Sequence, residues 1–134
     1  MIGYSGKTLA KKLGFKSGMR AAFYHAPRDY QTMLGKLPQN VRLVGQGKDL
    51  DFVQYFCRHR QALASALPGL RARIKPGGMI WVSWPKRTSG VTTDVNENIV
   101  RHLAIQQGLV DVKVAAVDDV WSALLLVIPR RLRP

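Results

Sequence analysis

The run Met79-Ile80-Trp81-Val82-Ser83-Trp84 constrains this chain more than any other stretch. It is largely apolar on both faces of an extended backbone, and Pro76-Gly77-Gly78 before it and Pro85 after it hold it to strand length. A strand with two apolar faces needs cover on both sides, which points to the centre of a mostly parallel sheet. The remaining sequence agrees, because short apolar runs alternate with amphipathic segments, the pattern of an α/β sheet with helices on both faces. The 134 residues suffice for one domain, which at that length buries roughly two thirds of its unfolded surface. A 46% hydrophobic share excludes disorder despite a net charge of +13.

The elements follow from periodicity and punctuation. Ser5 to Phe15 is predicted as a basic helix, with Leu9, Ala10 and Leu13 on one face, Lys7, Lys11 and Lys12 on the other, and Gly14 as its stop. Arg20–Tyr24, Val41–Val44 and Asp51–Cys57 read as strands, the first ended by Pro27. Asp29–Leu37 is a short helix that Pro38 halts. From Arg58 to Ile74, Leu63, Leu67, Leu70 and Ile74 recur at helical spacing, and Pro68-Gly69 predicts a kink or two short helices. Pro76-Gly77-Gly78 is expected to be a turn. Asp94–Gln107 is the last helix, with Asp94 as N-cap, Glu97 in capping-box position and Gly108 as its end. Lys113–Val117 and Ala123–Ile128 then form an antiparallel hairpin through the link Asp118 to Ser122. The organisation expected is a basic N-terminal segment, 1–19, packed on an α/β domain, 20–129, with a basic tail, 130–134.

No apolar run approaches the roughly 20 residues of a membrane span, and the N-terminus lacks the apolar stretch of a secretory leader. A cytoplasmic location without a membrane partner is therefore expected. The single cysteine, Cys57, excludes an internal disulfide and suits a reducing compartment.

Two stretches carry a resemblance. Lys12-Leu13-Gly14-Phe15-Lys16-Ser17-Gly18-Met19-Arg20 resembles the lead-in to the first strand of class I S-adenosylmethionine-dependent methyltransferases. Leu70 to Trp84, with Lys75-Pro76-Gly77-Gly78 inside it, resembles their entry into the fifth strand. The terminal hairpin is similar to their antiparallel edge. More closely, the chain resembles a family of small bacterial proteins of unassigned activity built on this core. That likeness rests on Gly3-Tyr4-Ser5-Gly6, on Trp84-Pro85-Lys86 with Ser89-Gly90-Val91, and on Leu109-Val110-Asp111 through Trp121-Ser122. The resemblance implies a Rossmann-like three-layer sandwich, a reduced class I methyltransferase-like sheet ending in an antiparallel hairpin.

The chain departs from the methyltransferase pattern at its cofactor turn. Those enzymes place an acidic residue and glycines after the first strand, so that bare backbone meets the cofactor. Here the stretch is Phe23-Tyr24-His25-Ala26-Pro27-Arg28-Asp29, without a glycine and with a proline that lacks an N–H. The second strand ends Val44-Gly45-Gln46-Gly47, leaving Gln46 as the only side chain able to accept from ribose hydroxyls. One strand–helix unit is also missing between Gly47 and Asp51. No cofactor is therefore expected, S-adenosylmethionine being the one that the resemblance would supply. The residues support a non-catalytic binding or regulatory module on this scaffold. The alternative is an active methyltransferase, or another small-ligand enzyme, with an atypical pocket. A weak nucleic-acid binder is a third reading.

In such sheets ligands sit at the carboxyl ends of the strands. That rule nominates Tyr24, His25 and Arg28 from the first turn, and Trp84, Lys86, Arg87, Ser89, Gly90 and Asp94 from the loop after the central strand. The cations, hydroxyls and Gly90 suit a small ligand or an anion, although the order of a P-loop is absent. Asp94, as an N-cap, would compete for the same N–H groups. His25, Cys57 and His59 are the only residues that suggest a metal. The spacing Cys57-x-His59 is not a usual ligand spacing and Arg58 and Arg60 flank it, so a buried strand cysteine beside a surface histidine is expected, with no metal. Those arginines would lower the Cys57 pKa. Asp118 and Asp119 read as solvated turn residues, and Trp84 and Trp121 as core. Lys7, Lys11, Lys12, Lys16 and Arg20 at one end, and Arg130, Arg131 and Arg133 at the other, are clusters that suit a phosphate backbone.

Overall fold

In the computed structural model, residues 7–45 and 47–134 are described. Gly3-Tyr4-Ser5-Gly6, the start of the first predicted helix and Gln46 lie outside them. The chain runs through α1 (Leu9–Leu13), β1 (Arg20–Tyr24), α2 (Tyr30–Leu34), β2 (Arg42–Leu43), β3 (Leu50–Phe56), α3 (Arg60–Arg73), β4 (Ile74–Pro85), α4 (Glu97–Gln106), β5 (Val110–Ala116) and β6 (Trp121–Val127). Short 3-10 turns occupy Arg87–Ser89 and Arg130–Leu132. The strands form one sheet in the order β2-β1-β3-β4-β6-β5. β2, β1, β3 and β4 are parallel, while β6 is antiparallel to both β4 and β5.

Both faces of this sheet are covered, as the two-faced β4 requires. Leu63, Leu67 and Leu70 of α3 and Val100 and Ala104 of α4 pack with Val53, Ile80, Val82 and Leu124 on one face. Leu9, Ala10 and Leu13 of α1 and Tyr30 and Leu34 of α2 pack with Phe52, Phe56, Trp81 and Leu125 on the other. Leu63 and Leu67 are fully buried, and each such leucine contributes about 1.5–3 kcal/mol. Thr8 caps α1 by accepting from the Lys11 N–H, and Gly14, at φ +97°, closes it by donating to Ala10 and Lys11 carbonyls. One hydrogen-bonded chain crosses the interior: the Tyr30 hydroxyl donates to Gln54 Oε1, and Gln54 Nε2 donates to Ser83 Oγ.

The order in which strands are added reverses between β1 and β3. The chain leaves β1 for β2 on one side, then returns to lay β3 on the other. No strand lies beyond β2 among the described residues, in keeping with the missing unit.

Several boundaries differ from the sequence reading. Pro76-Gly77-Gly78 is not a turn but part of β4. Leu50 faces Ile74 and Phe52 faces Met79, so β4 spends five positions where β3 spends two, and the surplus bulges. Gly78 allows this, because a Cβ there would stand 2.8 Å from the Leu50 carbonyl oxygen. Pro68-Gly69 neither splits nor ends α3, which runs unbroken from Arg60 to Arg73. Its leucine face is held by the core, and burial outweighs the one backbone bond that Pro68 cannot make. α4 starts later than predicted and is capped by Asn96, whose Oδ1 accepts from the Ile99 N–H at 2.9 Å. The hairpin link is shorter, because β6 begins two residues earlier than predicted, at Trp121, although β5 ends one residue earlier, at Ala116.

Candidate functional site

A cavity of about 570 Å³ opens at the switch between β1 and β3. His25 lines it from the end of β1, and Tyr55 to His59 line it from the end of β3 and the start of α3. Ala62, Val91 and Trp121 complete the wall. Parallel pairing of Tyr24 with Tyr55 puts the two carboxyl ends side by side. His25 adopts φ +59°, a left-handed conformation costly for a side chain with a Cβ. Its ring meets Tyr55 edge to face at 5.5 Å, while Trp121 meets Phe56 in the same way at 4.9 Å. Aromatic groups thus stand on the β1 side and on the β6 side. Arg58 and His59 are exposed at the rim, and no carboxylate lines this cavity.

A second cavity, of about 540 Å³, shares Val91 with the first and is lined by Trp84, Pro85, Arg87 and residues 92–96. Its floor is braced against α3. The Asp94 N–H and the Thr93 hydroxyl both donate to the Arg58 carbonyl, and the Arg60 N–H donates to Asp94 Oδ1 at 2.7 Å. Asp94 therefore serves the first turn of α3, not the N-terminus of α4 where the sequence placed it. That helix needs the help, since its own first turn has no acidic residue and Arg58 and Arg60 flank its N-cap, His59.

The predicted site residues scatter across this edge. His25 lines the first cavity; Trp84, Arg87 and Asp94 line the second. Arg28 is exposed in the β1–α2 connection. Tyr24 turns away, packing toward α3, where Arg73 donates to its hydroxyl at 2.8 Å and lies over its ring. Lys86 is held by its backbone, whose N–H donates to the Val120 carbonyl. The Ser89 hydroxyl donates to the Lys86 carbonyl and accepts from the Val91 N–H, so it serves the turn. Gly90 ends that turn at φ +79° with open space around it.

Tyr55, Arg58, His59 and Trp121 were not among the predicted ligand residues. Trp121 opens β6 instead of lying in the link, and it is only partly buried. Parallel pairing of β1 with β3 brings Tyr55, Arg58 and His59 to the His25 turn, and the β4–β6 pairing brings Trp121. His25, Cys57 and His59 do meet at one cavity, yet among the described residues no three His, Cys, Asp or Glu side chains could hold one ion. Cys57 is buried, and burial pushes its thiol up to about 12, with the Asp94 carboxylate adding to the effect. This reverses the expected lowering, because Arg58 and Arg60 stand in solvent while the sulfur does not. No described helix is long and apolar enough to cross a membrane.

No protein-family model and no curated protein matches the chain. Solved structures do. A SAM-dependent methyltransferase of Aquifex aeolicus superposes with a TM-score of 0.62 at 14% identity, over 89% of this chain and 87% of that one. The magnesium protoporphyrin IX methyltransferase of Synechocystis, solved with SAM bound, gives 0.58 at 10% identity, over 90% and 74%. A Bordetella parapertussis structure described as a possible exported protein gives 0.65 at 10%, over 90% and 66%. At such identities the likeness shows the fold alone, and that fold is the Rossmann-like α/β architecture of S-adenosylmethionine-dependent methyltransferases.

Proposed function

We propose that this chain is a non-catalytic binding module that uses the methyltransferase-like scaffold to hold a ligand at the carboxyl ends of β1 and β3. The observation that carries the reading is His25. Its imidazole lines the cavity at the turn where a methyltransferase presents bare backbone to its cofactor. Pro27 offers no N–H in the same connection. β2 has two residues, followed by Val44 and Gly45, without a carboxylate to hold ribose hydroxyls. These residues do not fit S-adenosylmethionine in the family's pose. Calorimetric titration with S-adenosylmethionine and S-adenosylhomocysteine is expected to show no binding, and micromolar affinity for either overturns the reading.

The second reading, an active methyltransferase or other small-ligand enzyme, is favoured by the two cavities meeting at Val91 on the edge where α/β enzymes bind their substrates. It would use His25 and Tyr24 beside Lys86, Ser89 and Asp94. Transfer of labelled methyl groups to cell extract, lost in His25→Ala or Lys86→Ala protein, would support it against the first.

A further inference from the structure

We propose that the ligand is single-stranded nucleic acid, with one base seated in the cavity between His25 and Trp121 and its flanking phosphates on Arg58 and Arg87. The inference rests on the reading of this edge as a binding site and names what binds there. Three observations converge on it. The first cavity has planar rings on two sides and no carboxylate, a surface suited to a flat, electron-rich ring. Among the described residues the Arg58 and Arg87 guanidinium groups make no hydrogen bond or ion pair. Among the described residues only Lys75 and Arg101 have a carboxylate within ion-pair distance, out of 21 lysines and arginines. Arg58 and Arg60 moreover sit at the end of α3 where positive charge is unfavourable. A net charge of +13 finally favours a polyanion over a lone nucleotide, because it attracts phosphates well beyond the cavity.

Single strands fit better than a duplex, since only an unpaired base is free to enter a pocket. Trp121 makes the seating visible. Trp81 and Trp84 are 0% and 6% exposed, whereas Trp121 lines the cavity and is only partly buried.

The test is fluorescence anisotropy with labelled oligouridylate across a salt series, with tryptophan emission followed on unlabelled oligouridylate. Binding is expected to quench the emission, and Trp121→Phe should bind more weakly and, at saturation, show much less quenching. Arg58→Gln with Arg87→Gln should weaken binding about tenfold and flatten the logarithmic salt slope by about 1.4. Truncation after Pro129 removes three arginines beside the far end of β6 and should cost less than that pair. Blunt duplex and uridine monophosphate should each bind at least about tenfold more weakly than the single strand. The proposal is overturned if oligouridylate does not bind at low salt, or binds without quenching. It is equally overturned if duplex or monophosphate matches the single strand, or if the truncation costs more than the arginine pair. The same preparation titrated with S-adenosylhomocysteine separates the two failures: binding there sinks the non-catalytic reading, whereas silence with both ligands sinks only this one.

Discussion

Cys57 shows how burial overrides sequence neighbours. Flanking arginines suggest a reactive thiolate, yet the side chain enters the sheet interior and its thiol is pushed up to about 12 from 9.0. At pH 8 the native protein should therefore react with iodoacetamide about a thousandfold more slowly than the urea-unfolded chain. Between pH 9 and 12 the unfolded thiol has lost its proton while the folded one keeps it. The unfolded state then binds fewer protons, so stability falls as pH rises through that window and is unaffected below it. Urea titrations at both ends should show this loss shrinking in Cys57→Ala. Gln54 is the second residue where environment decides. It is fully buried, with its amide shared between Tyr30 and Ser83. Gln54→Ala leaves both hydroxyls without these partners and should cost about 2–4 kcal/mol by urea denaturation. That His25 lies at the cavity wall was legible, because the turn after the first strand falls at the carboxyl edge of the sheet. Arg58 and Trp121 were not, because their place at the cavity depends on pairings between distant strands that periodicity does not encode.

Among the elements, strands and helices were legible wherever an apolar pattern met a proline or glycine. Boundaries departed from the local pattern where an interaction from elsewhere in the chain set them. Asp94 had every local mark of an N-cap, but its carboxylate went to the first turn of α3. Asn96 took the capping role two residues later. Asp94→Ala and Asn96→Ala are each expected to lower stability by about 1 kcal/mol, the first through α3 and the second through α4. Hydrogen exchange can tell them apart: Asp94→Ala should expose amides early in α3, and Asn96→Ala those early in α4. Similarly, Pro68-Gly69 reads as a break only while the leucines around it lack a surface to bury against.

At the scale of the whole molecule the sheet order and the charge act together. Eight acidic residues face 21 basic ones, and the described ion pairs draw on only Asp51, Glu97 and Asp111. Compaction brings uncompensated cations together, so the melting temperature should rise as sodium chloride is added from very low ionic strength. Calorimetry that found a fall over that range would contradict the self-repulsion argument. Overall architecture was legible because two-faced β4 demanded a covered, central position. The bulge between β3 and β4 was not, because glycine and proline in sequence announce a turn as readily as an irregular strand. That same pair of strands has a consequence in time. β3, α3 and β4 are consecutive from Leu50 to Pro85, whereas joining β4 to β6 must bring Trp81 to Leu125. The β5–β6 hairpin is more local, but alone it is marginal in water. Loop closure therefore favours the β3–α3–β4 unit as the first to condense, with α1 and β6 docking onto a formed surface. In stopped-flow refolding, Leu67→Ala should mainly slow folding, while Leu13→Ala should mainly speed unfolding.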